Sequence, residues 1–255
     1  MAPLAAPQVA EEAASYFSGI VTAPGGFAAR PWVTLAWAQS LDGSIARRRG
    51  APTAISCPAS TLLTHFLRAF HQAIMVGSGT LAADNPRLTT RGVSGASPTP
   101  MVLDRRLRST AQSRLFDPVG TGEQPRRGAP IVLCSPGAAR RRPDRCAALQ
   151  ERGVTVAPVP NPGLPAVLAE AKRRGIGSLM VEGGGEILHA FLRAGFVDAV
   201  VVTVAPLILQ GYRITGGANG AELPGIDAML AKWFVVGDDG VVILHRSDIS
   251  PGDKV

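Results

Sequence analysis

The chain has 255 residues, a length that fits one large α/β domain or two smaller ones. Hydrophobic residues make up 46% and charged residues 18%, which is typical of a globular protein with a large core and excludes an intrinsically disordered chain. The net charge of +7 comes with arginine runs that we interpret as solvated loops and not as a nucleic-acid footprint, because they hold no aromatic residues and no zinc-finger or basic-helix pattern occurs. An anionic small substrate fits the charge equally well.

The first 30 residues combine Ala, Pro and Gly with one short helical pattern at residues 7–17. They predict an N-terminal extension beside a single domain that spans residues 31–255. No basic region followed by an apolar core opens the chain, so we do not expect secretion. The cysteines Cys57, Cys134 and Cys146 are odd in number and lack metal-ligand spacing. They favour a reducing cytoplasm and argue against a disulfide framework and a metal site.

Beyond residue 30, apolar β-branched runs alternate with helical patterns. The runs predict strands at residues 33–38, 73–77, 101–103, 131–133, 179–181 and 200–204. Helices are predicted at residues 60–67, 143–152 and 164–174, with Ser56 or Ser60 as the first N-cap and Gly153 and Gly175 just beyond the other two ends. This alternation predicts an α/β fold with a mostly parallel central sheet flanked by helices.

The C-terminal part adds two expectations. Residues 233–236 and 241–244 flank a Gly-Asp-Asp-Gly turn and predict an antiparallel hairpin. The longest apolar run, residues 199–209, contains Pro206 and is too short to span a bilayer, so we expect no membrane association.

A first polar block follows the first predicted strand. Ser40 and Asp42 lie there, at what would be the carboxyl edge of the sheet, although an Asp-Gly pair is also a plain turn signal. Arg68, in the first long predicted helix, is either a surface arginine that extends into solvent or a cation for an anionic ligand. The residues alone leave both alternatives open.

A second block follows the strand at residues 73–77. Thr80 and Asp84 are four residues apart, so one helical turn would place them on the same face. Asp84 is suited to accept hydrogen bonds from sugar hydroxyls, and Arg91 to bind a phosphate through two hydrogen bonds. A short capped helix with Asp84 bonded to the backbone explains the segment equally well.

The third block is the glycine loop, which we define as residues 181–186: Val181, Glu182, Gly183, Gly184, Gly185 and Glu186. A strand that passes through three glycines into a helix presents backbone N–H groups at a helix N-terminus, where they suit a phosphate or pyrophosphate. A tight turn is the alternative for any single glycine cluster.

Together these blocks resemble one known family. Residues 40–46, 76–86, 102–104 and 181–185 occur in the order and at the distances found in the riboflavin-biosynthesis reductase family, which is related in fold to dihydrofolate reductase. The resemblance covers residues 31–246. Residues 53–56 and 84–86 are more similar to the stand-alone fungal-type enzyme, and the zinc-deaminase signature of the bacterial fusion protein does not occur.

The resemblance implies an NADPH-dependent reductase with a dihydrofolate-reductase-like fold. Its substrate would be 2,5-diamino-6-ribosylamino-4(3H)-pyrimidinone 5′-phosphate, its product the ribitylamino compound, and its assembly a homodimer. A cofactor-binding role is implied for Thr80, Asp84 and the glycine loop. A substrate-binding role is implied for Ser40, Arg68 and Arg91, and Asp42 and Glu182 are the candidate catalytic residues.

One position departs from the family pattern. Bacterial reductase domains commonly carry a lysine on the first strand where this chain has Ala36, so no lysine can be given a proton-transfer role there. Two alternatives to the leading hypothesis are an NADPH-dependent reductase of another imine or a pterin-like substrate, and a non-catalytic nucleotide- or nucleic-acid-binding protein that uses the arginines.

Overall fold

A computed structural model describes residues 12, 15–18, 27, 29–214 and 229–246. The described helices are α1 (Pro58–Phe70), α2 (Ser78–Asp84), α3 (Pro136–Arg141), α4 (Pro143–Glu151), α5 (Leu164–Arg173) and α6 (Gly185–Ala194), with a 3₁₀ turn at Arg114–Phe116. The strands are β1 (Trp32–Ser40), β2 (Ser44–Ala46), β3 (Ala73–Gly77), β4 (Thr99–Leu103), β5 (Ile131–Cys134), β6 (Thr155–Pro158), β7 (Ser178–Gly183), β8 (Ala199–Ala205), β9 (Tyr212–Arg213), β10 (Met229–Val236) and β11 (Asp239–Arg246).

The central sheet has nine strands in the order β10-β11-β8-β1-β7-β3-β4-β5-β6. All pairs from β8 to β6 are parallel, whereas β11 pairs antiparallel with both β8 and β10. This architecture confirms the predicted mostly parallel sheet with an antiparallel C-terminal hairpin. The predicted hairpin turn covered residues 237–240. The observed turn is shorter, because Val236 pairs with Asp239 and only residues 237 and 238 connect the two strands.

The two faces of the sheet are covered by different helices. Leu63 and Leu67 of α1 and Leu149 of α4 belong to one buried cluster, while Leu168 of α5 and Phe191 of α6 belong to the other. Central strands buried on both faces need apolar side chains at almost every position, which explains the unbroken runs in the sequence.

The N-cap of α1 corrects one prediction. Cys57 occupies that position, not Ser56 or Ser60, and its side chain makes no capping hydrogen bond. Its backbone N–H donates to Asp239 Oδ2 at 2.8 Å, so β11 holds the start of the helix in place. The glycines after α4 and α5 behave as predicted, since Gly153 and Gly175 have φ of +73° and +78°.

A short piece of the N-terminal extension packs on the core. Residues 15–18 are helical, Phe17 is fully buried beside Phe70 and His71, and the Tyr16 hydroxyl lies 2.8 Å from His245 Nε2. The rest of the predicted helix at residues 7–17 lies outside the described residues, apart from position 12. In the described part of the chain, no helix is both long and apolar enough to cross a membrane.

The sheet order brings the three polar blocks together. They follow β1, β3 and β7, and these strands are neighbours in the order β1-β7-β3. Since the three run parallel, their carboxyl ends lie at the same edge of the sheet. Ligands of open α/β sheets bind at such an edge.

Candidate active site

A cavity of about 840 Å³ opens at this carboxyl edge. Its walls come from the ends of the central strands, the starts of α2 and α6, residues 49–56 and the loop after β4. Its size falls within the range of about 300–1,000 Å³ that is usual for cofactor and ligand pockets.

The glycine loop forms one wall of this cavity. Gly183 has a φ of +119°, which residues with a side chain rarely adopt. A Cβ at Gly184 would lie 2.8 Å from Thr80 Oγ1, and a Cβ at Gly185 would lie 3.0 Å from the Tyr212 hydroxyl. The helix that follows starts without a side-chain cap. The N–H groups of Gly185 and Glu186, which precede the first intrahelical donor Ile187, can therefore face an anion that approaches the backbone.

The adjoining part of the wall carries the second block. Thr80 and Asp84 both lie on α2 and both line the cavity, as the four-residue spacing predicts. Asp84 does not cap the helix, because Asn85 is the C-cap residue and its amide donates to the Leu81 carbonyl. Desolvation raises the pKa of the Asp84 carboxyl above its ordinary value.

Glu182 lies at the cavity wall and is held by Arg68. The guanidinium donates to both carboxylate oxygens, Nε to Oε1 at 2.6 Å and Nη2 to Oε2 at 2.7 Å, and Nη1 donates to the Thr89 carbonyl at 3.0 Å. Burial opposes the charge of Arg68, but the Glu182 carboxylate outweighs it and raises the pKa of Arg68. Arg68 is therefore not a surface arginine, and its planar group fixes the direction of Glu182.

Ser40 and Asp42 form a closed turn beside the cavity and do not line it. The Ser40 and Ser44 hydroxyls donate to the two Asp42 oxygens at 2.5 and 2.7 Å, and the amides of Leu209 and Gln210 donate to the same oxygens at 3.0 Å. The Ser40 hydroxyl, the Leu209 amide and the Ser44 hydroxyl hold the pKa of Asp42 well below its usual range. This geometry favours a structural role for Asp42, because such a carboxyl is a poor proton donor near neutral pH.

Four other predicted residues, Arg68 among them, also lie outside the cavity wall. Val181 is fully buried in the core, and Gly183 directs no atom into the cavity. Arg91 is half-exposed, with its Nη1 atom 3.6 Å from Glu123 Oε1. Glu123 is held more closely by Arg87, whose Nε donates to it at 2.8 Å.

Sequence reasoning missed several arginines of the cavity wall. Arg49 pairs with Glu186 where both side chains are largely exposed. Arg105, Arg106 and Arg108 line the cavity from the loop after β4. A local signal was available, because these three directly follow a predicted strand that would end at the same edge of the sheet.

The fold and the site define a family to which the chain belongs. Residues 31–242 match the model of the RibD C-terminal domain, and the chain is a member of that family. This match confirms the resemblance to the riboflavin-biosynthesis reductases.

Two individual relatives and one solved structure are similar to this chain over most of its length. The chain is 34% identical over 224 residues to the 2,5-diamino-6-ribosylamino-4(3H)-pyrimidinone 5′-phosphate reductase of Methanothermobacter thermautotrophicus, with coverage of 84% of this chain and 97% of the relative. It is 34% identical over 219 residues to the riboflavin biosynthesis protein RibD of Aquifex aeolicus, covering 85% of this chain but spanning only 58% of that longer protein. Among solved structures, the riboflavin biosynthesis reductase Rib7 of Saccharomyces cerevisiae superimposes with a TM-score of 0.62 at 26% identity, covering 86% of this chain and 91% of that one.

Proposed function

We propose that the chain is an NADPH-dependent oxidoreductase that reduces 2,5-diamino-6-ribosylamino-4(3H)-pyrimidinone 5′-phosphate to the ribitylamino product in riboflavin biosynthesis. One observation carries this proposal: the glycine loop lies against Thr80 at the wall of a single cavity that Glu182 also lines. The names of the archaeal and yeast relatives, which the chain matches over most of their length, support the same activity.

The cavity wall fits a dinucleotide cofactor. The crowding at Gly184 and Gly185 leaves no room for side chains, and the bare backbone around them is suited to the pyrophosphate. Thr80 lies against this loop, Asp84 lines the same cavity, and both would contact the ribose next to the phosphates. When bound, the nicotinamide supplies a hydride.

The protein contributes alignment and exclusion of water. A ribosylamine opens to an imine at the sugar C1′, which needs only a hydride and a proton, so holding C1′ at close range is the main demand on the site. Each Glu182 oxygen accepts one hydrogen bond from Arg68. A carboxylate oxygen can accept a second hydrogen bond, which leaves Glu182 able to bind the substrate. We assign Glu182 the role of orienting the reacting part of the substrate. The proton comes from solvent or from a substrate group.

The substrate phosphate is assigned to Arg91, whereas Arg68, whose guanidinium nitrogens donate to Glu182 and Thr89, acts on the substrate only through Glu182. Arg91 is half-exposed and only loosely paired, which leaves its donors available to a phosphate. The Ser40 hydroxyl donates to Asp42. We therefore propose that Ser40 affects substrate binding only indirectly, by holding the neighbouring turn in place.

Assembly and location follow as further parts of the proposal. We propose a homodimer, because the outer strand β10 exposes Leu230, Trp233 and Val235, a surface that a second copy would cover. Cys57, Cys134 and Cys146 are free thiols, which supports a reducing cytoplasm.

The test is oxidation of NADPH by the purified chain with the ribosylaminopyrimidine phosphate, followed by the absorbance of the reduced nicotinamide. We expect turnover that requires the 5′-phosphate. If NADP⁺ binds but this substrate is not reduced, the activity belongs to another imine or a pterin-like compound on the same fold.

A further inference from the structure

Residues 87–91, which we call the clamp segment, follow α2, and none of them lines the cavity. The three central residues of the segment are buried. The amide of Thr90 donates to Ser97 Oγ at 2.9 Å, and the amide of Arg91 donates to His65 Nδ1 at 3.3 Å. Contacts from other parts of the chain therefore fix the backbone of this segment, and a group bonded to it is held in one place.

Glu123, in the loop before β5, anchors the side chains of the clamp segment. Its Oε1 atom accepts from Thr89 Oγ1 at 2.7 Å and from Arg87 Nε at 2.8 Å, and its Oε2 atom accepts from the amide of Gly120 at 2.7 Å. The Glu123 side chain is only 6% exposed. Hydrogen bonds to a charged group are about twice as strong as those between neutral groups, so this carboxylate holds Thr89 in a defined position.

Thr89 connects Glu123 to the cavity through its main chain. Its carbonyl accepts from Arg68 Nη1 at 3.0 Å, and the other two Arg68 nitrogens donate to the two oxygens of Glu182 at 2.6 and 2.7 Å. The contacts thus run from Glu123 through Thr89 and Arg68 to Glu182, across sequence separations of 34, 21 and 114 residues. Of these four residues, Glu182 alone lines the cavity.

The Thr89 carbonyl determines where the Arg68 guanidinium lies. Among the described residues, Arg68 donates to Glu182 and Thr89 and to no other group. Because the guanidinium is rigid and planar, a bond at Nη1 also fixes the directions of Nε and Nη2. The side chains of Arg68 and Glu182 are 12% and 14% exposed, so water cannot easily replace a misplaced contact. A shift of Thr89 would therefore reach the Glu182 carboxylate.

We propose that Thr89 and Glu123 are positioning residues, which act through Arg68 to set the direction of the Glu182 carboxylate in the cavity. This inference rests on the proposed function, because Glu182 is there assigned the orientation of the reacting part of the substrate. Neither Thr89 nor Glu123 lines the cavity, so their effect is on the rate of reduction and not on cofactor binding. A misplacement of about 1 Å at a reacting centre can lower the rate about 100-fold.

Three single substitutions isolate the Thr89 hydroxyl. Thr89→Val removes the hydroxyl that donates to Glu123 and keeps the branched shape, whereas Thr89→Ser keeps the hydroxyl. Thr90→Val is the matched control, because Thr90 is the next residue and is equally buried, and its Oγ1 atom has no hydrogen-bond partner in the described part of the chain. Each variant keeps the main-chain carbonyl to which Arg68 donates.

Steady-state oxidation of NADPH with the ribosylaminopyrimidine phosphate measures the effect. Thr89→Val should lower kcat about tenfold and leave KM for NADPH unchanged, because the misplaced group acts on the reacting centre. Thr89→Ser and Thr90→Val should keep the wild-type kcat. A wild-type kcat in Thr89→Val, or an equal loss in Thr89→Ser and Thr89→Val, would overturn the inference.

Glu123→Gln is the second variant, which keeps the test open if Thr89→Val does not fold. An amide offers one oxygen acceptor in place of two, so Arg87 and Thr89 can no longer both be held as in the wild type. We expect a loss of kcat at unchanged KM for NADPH in the folded variant, with folding checked by thermal unfolding. An unchanged kcat would contradict the positioning role of Glu123.

A double-mutant cycle in urea tests the same contacts without turnover. Thr89 and Glu182 are linked through Arg68 and not bonded to each other. The losses of stability in Thr89→Val and Glu182→Gln should therefore not add in the double variant, and additive losses would overturn the inference. If the losses do not add but the wild type fails to reduce the ribosylaminopyrimidine phosphate, the inference stands and the proposed substrate is wrong.

Discussion

Replacing Gly184 by alanine tests the geometry on which the cofactor assignment depends. Its φ of −69° and ψ of −172° are open to any residue, so the obstacle to a Cβ is the Thr80 Oγ1 atom 2.8 Å away. Forcing a methyl group into filled space costs about 1–3 kcal/mol, while Gly→Ala regains about 0.4–1 kcal/mol through the unfolded chain. We expect the free energy of unfolding to fall by about 0.5–2 kcal/mol.

Binding should suffer as well, because the added methyl group occupies space beside the bare backbone. We expect Kd for NADP⁺ to rise about tenfold or more, which corresponds to about 1.4 kcal/mol. Urea unfolding and a fluorescence titration with NADP⁺ measure the two effects. Gly240→Ala is the control, since its Cβ would meet its nearest atom, the Val204 carbonyl oxygen, at 3.9 Å, outside the cavity.

A double variant separates the steric cause from other effects. Thr80→Ala removes the Oγ1 atom that the new methyl group would meet, so Thr80→Ala/Gly184→Ala should recover most of the lost stability. If Gly184→Ala is as stable as the wild type, or if its loss persists unchanged in the Thr80→Ala background, the described contact between loop and helix is wrong.

Three further predictions concern charged groups. Arg68→Lys replaces the two-bond contact with Glu182 by a single one and should lower kcat/KM about 10- to 100-fold in steady-state NADPH oxidation; unchanged kcat/KM would contradict the positioning role. Asp42→Asn should lower Tm but largely keep kcat. A large loss of kcat would instead indicate that Asp42 is the proton donor. Glu123 has its pKa lowered to about 2, first by the hydrogen bond from Arg87, so it stabilises the fold above its ordinary pKa of 4.5. Wild type should therefore have a higher Tm than Glu123→Gln at neutral pH. This difference should shrink as the pH falls from 4.5 and disappear near pH 2.

The elements that the sequence predicted best are those with local causes. The apolar runs of β1 and β8 and the glycines after α4 and α5 depend on neighbouring residues, and the structure has them within a few positions of the predicted ends. The short α3 and β6 were missed, since each has too few residues to show a period.

The roles of individual site residues depend on distant partners. Arg68 and Glu182 are separated by 114 residues, and Asp42 is pinned by amides 167 and 168 residues away. Sequence reasoning placed Ser40 and Asp42 at the correct edge of the sheet, but it could not show that their hydrogen bonds are used within the turn. Cys57 is the N-cap of α1 for a similar reason, because Asp239 binds its amide from across 182 residues.

The central claim is tested most directly by mixing the purified chain, NADPH and 2,5-diamino-6-ribosylamino-4(3H)-pyrimidinone 5′-phosphate and following both nicotinamide oxidation and the pyrimidine product. The proposed reaction predicts one ribitylamino product for each NADPH oxidised, and the contact between Arg68 and Glu182 predicts a large loss of rate in Arg68→Lys. A chain that binds NADP⁺ tightly yet forms no ribitylamino product would contradict the proposed activity.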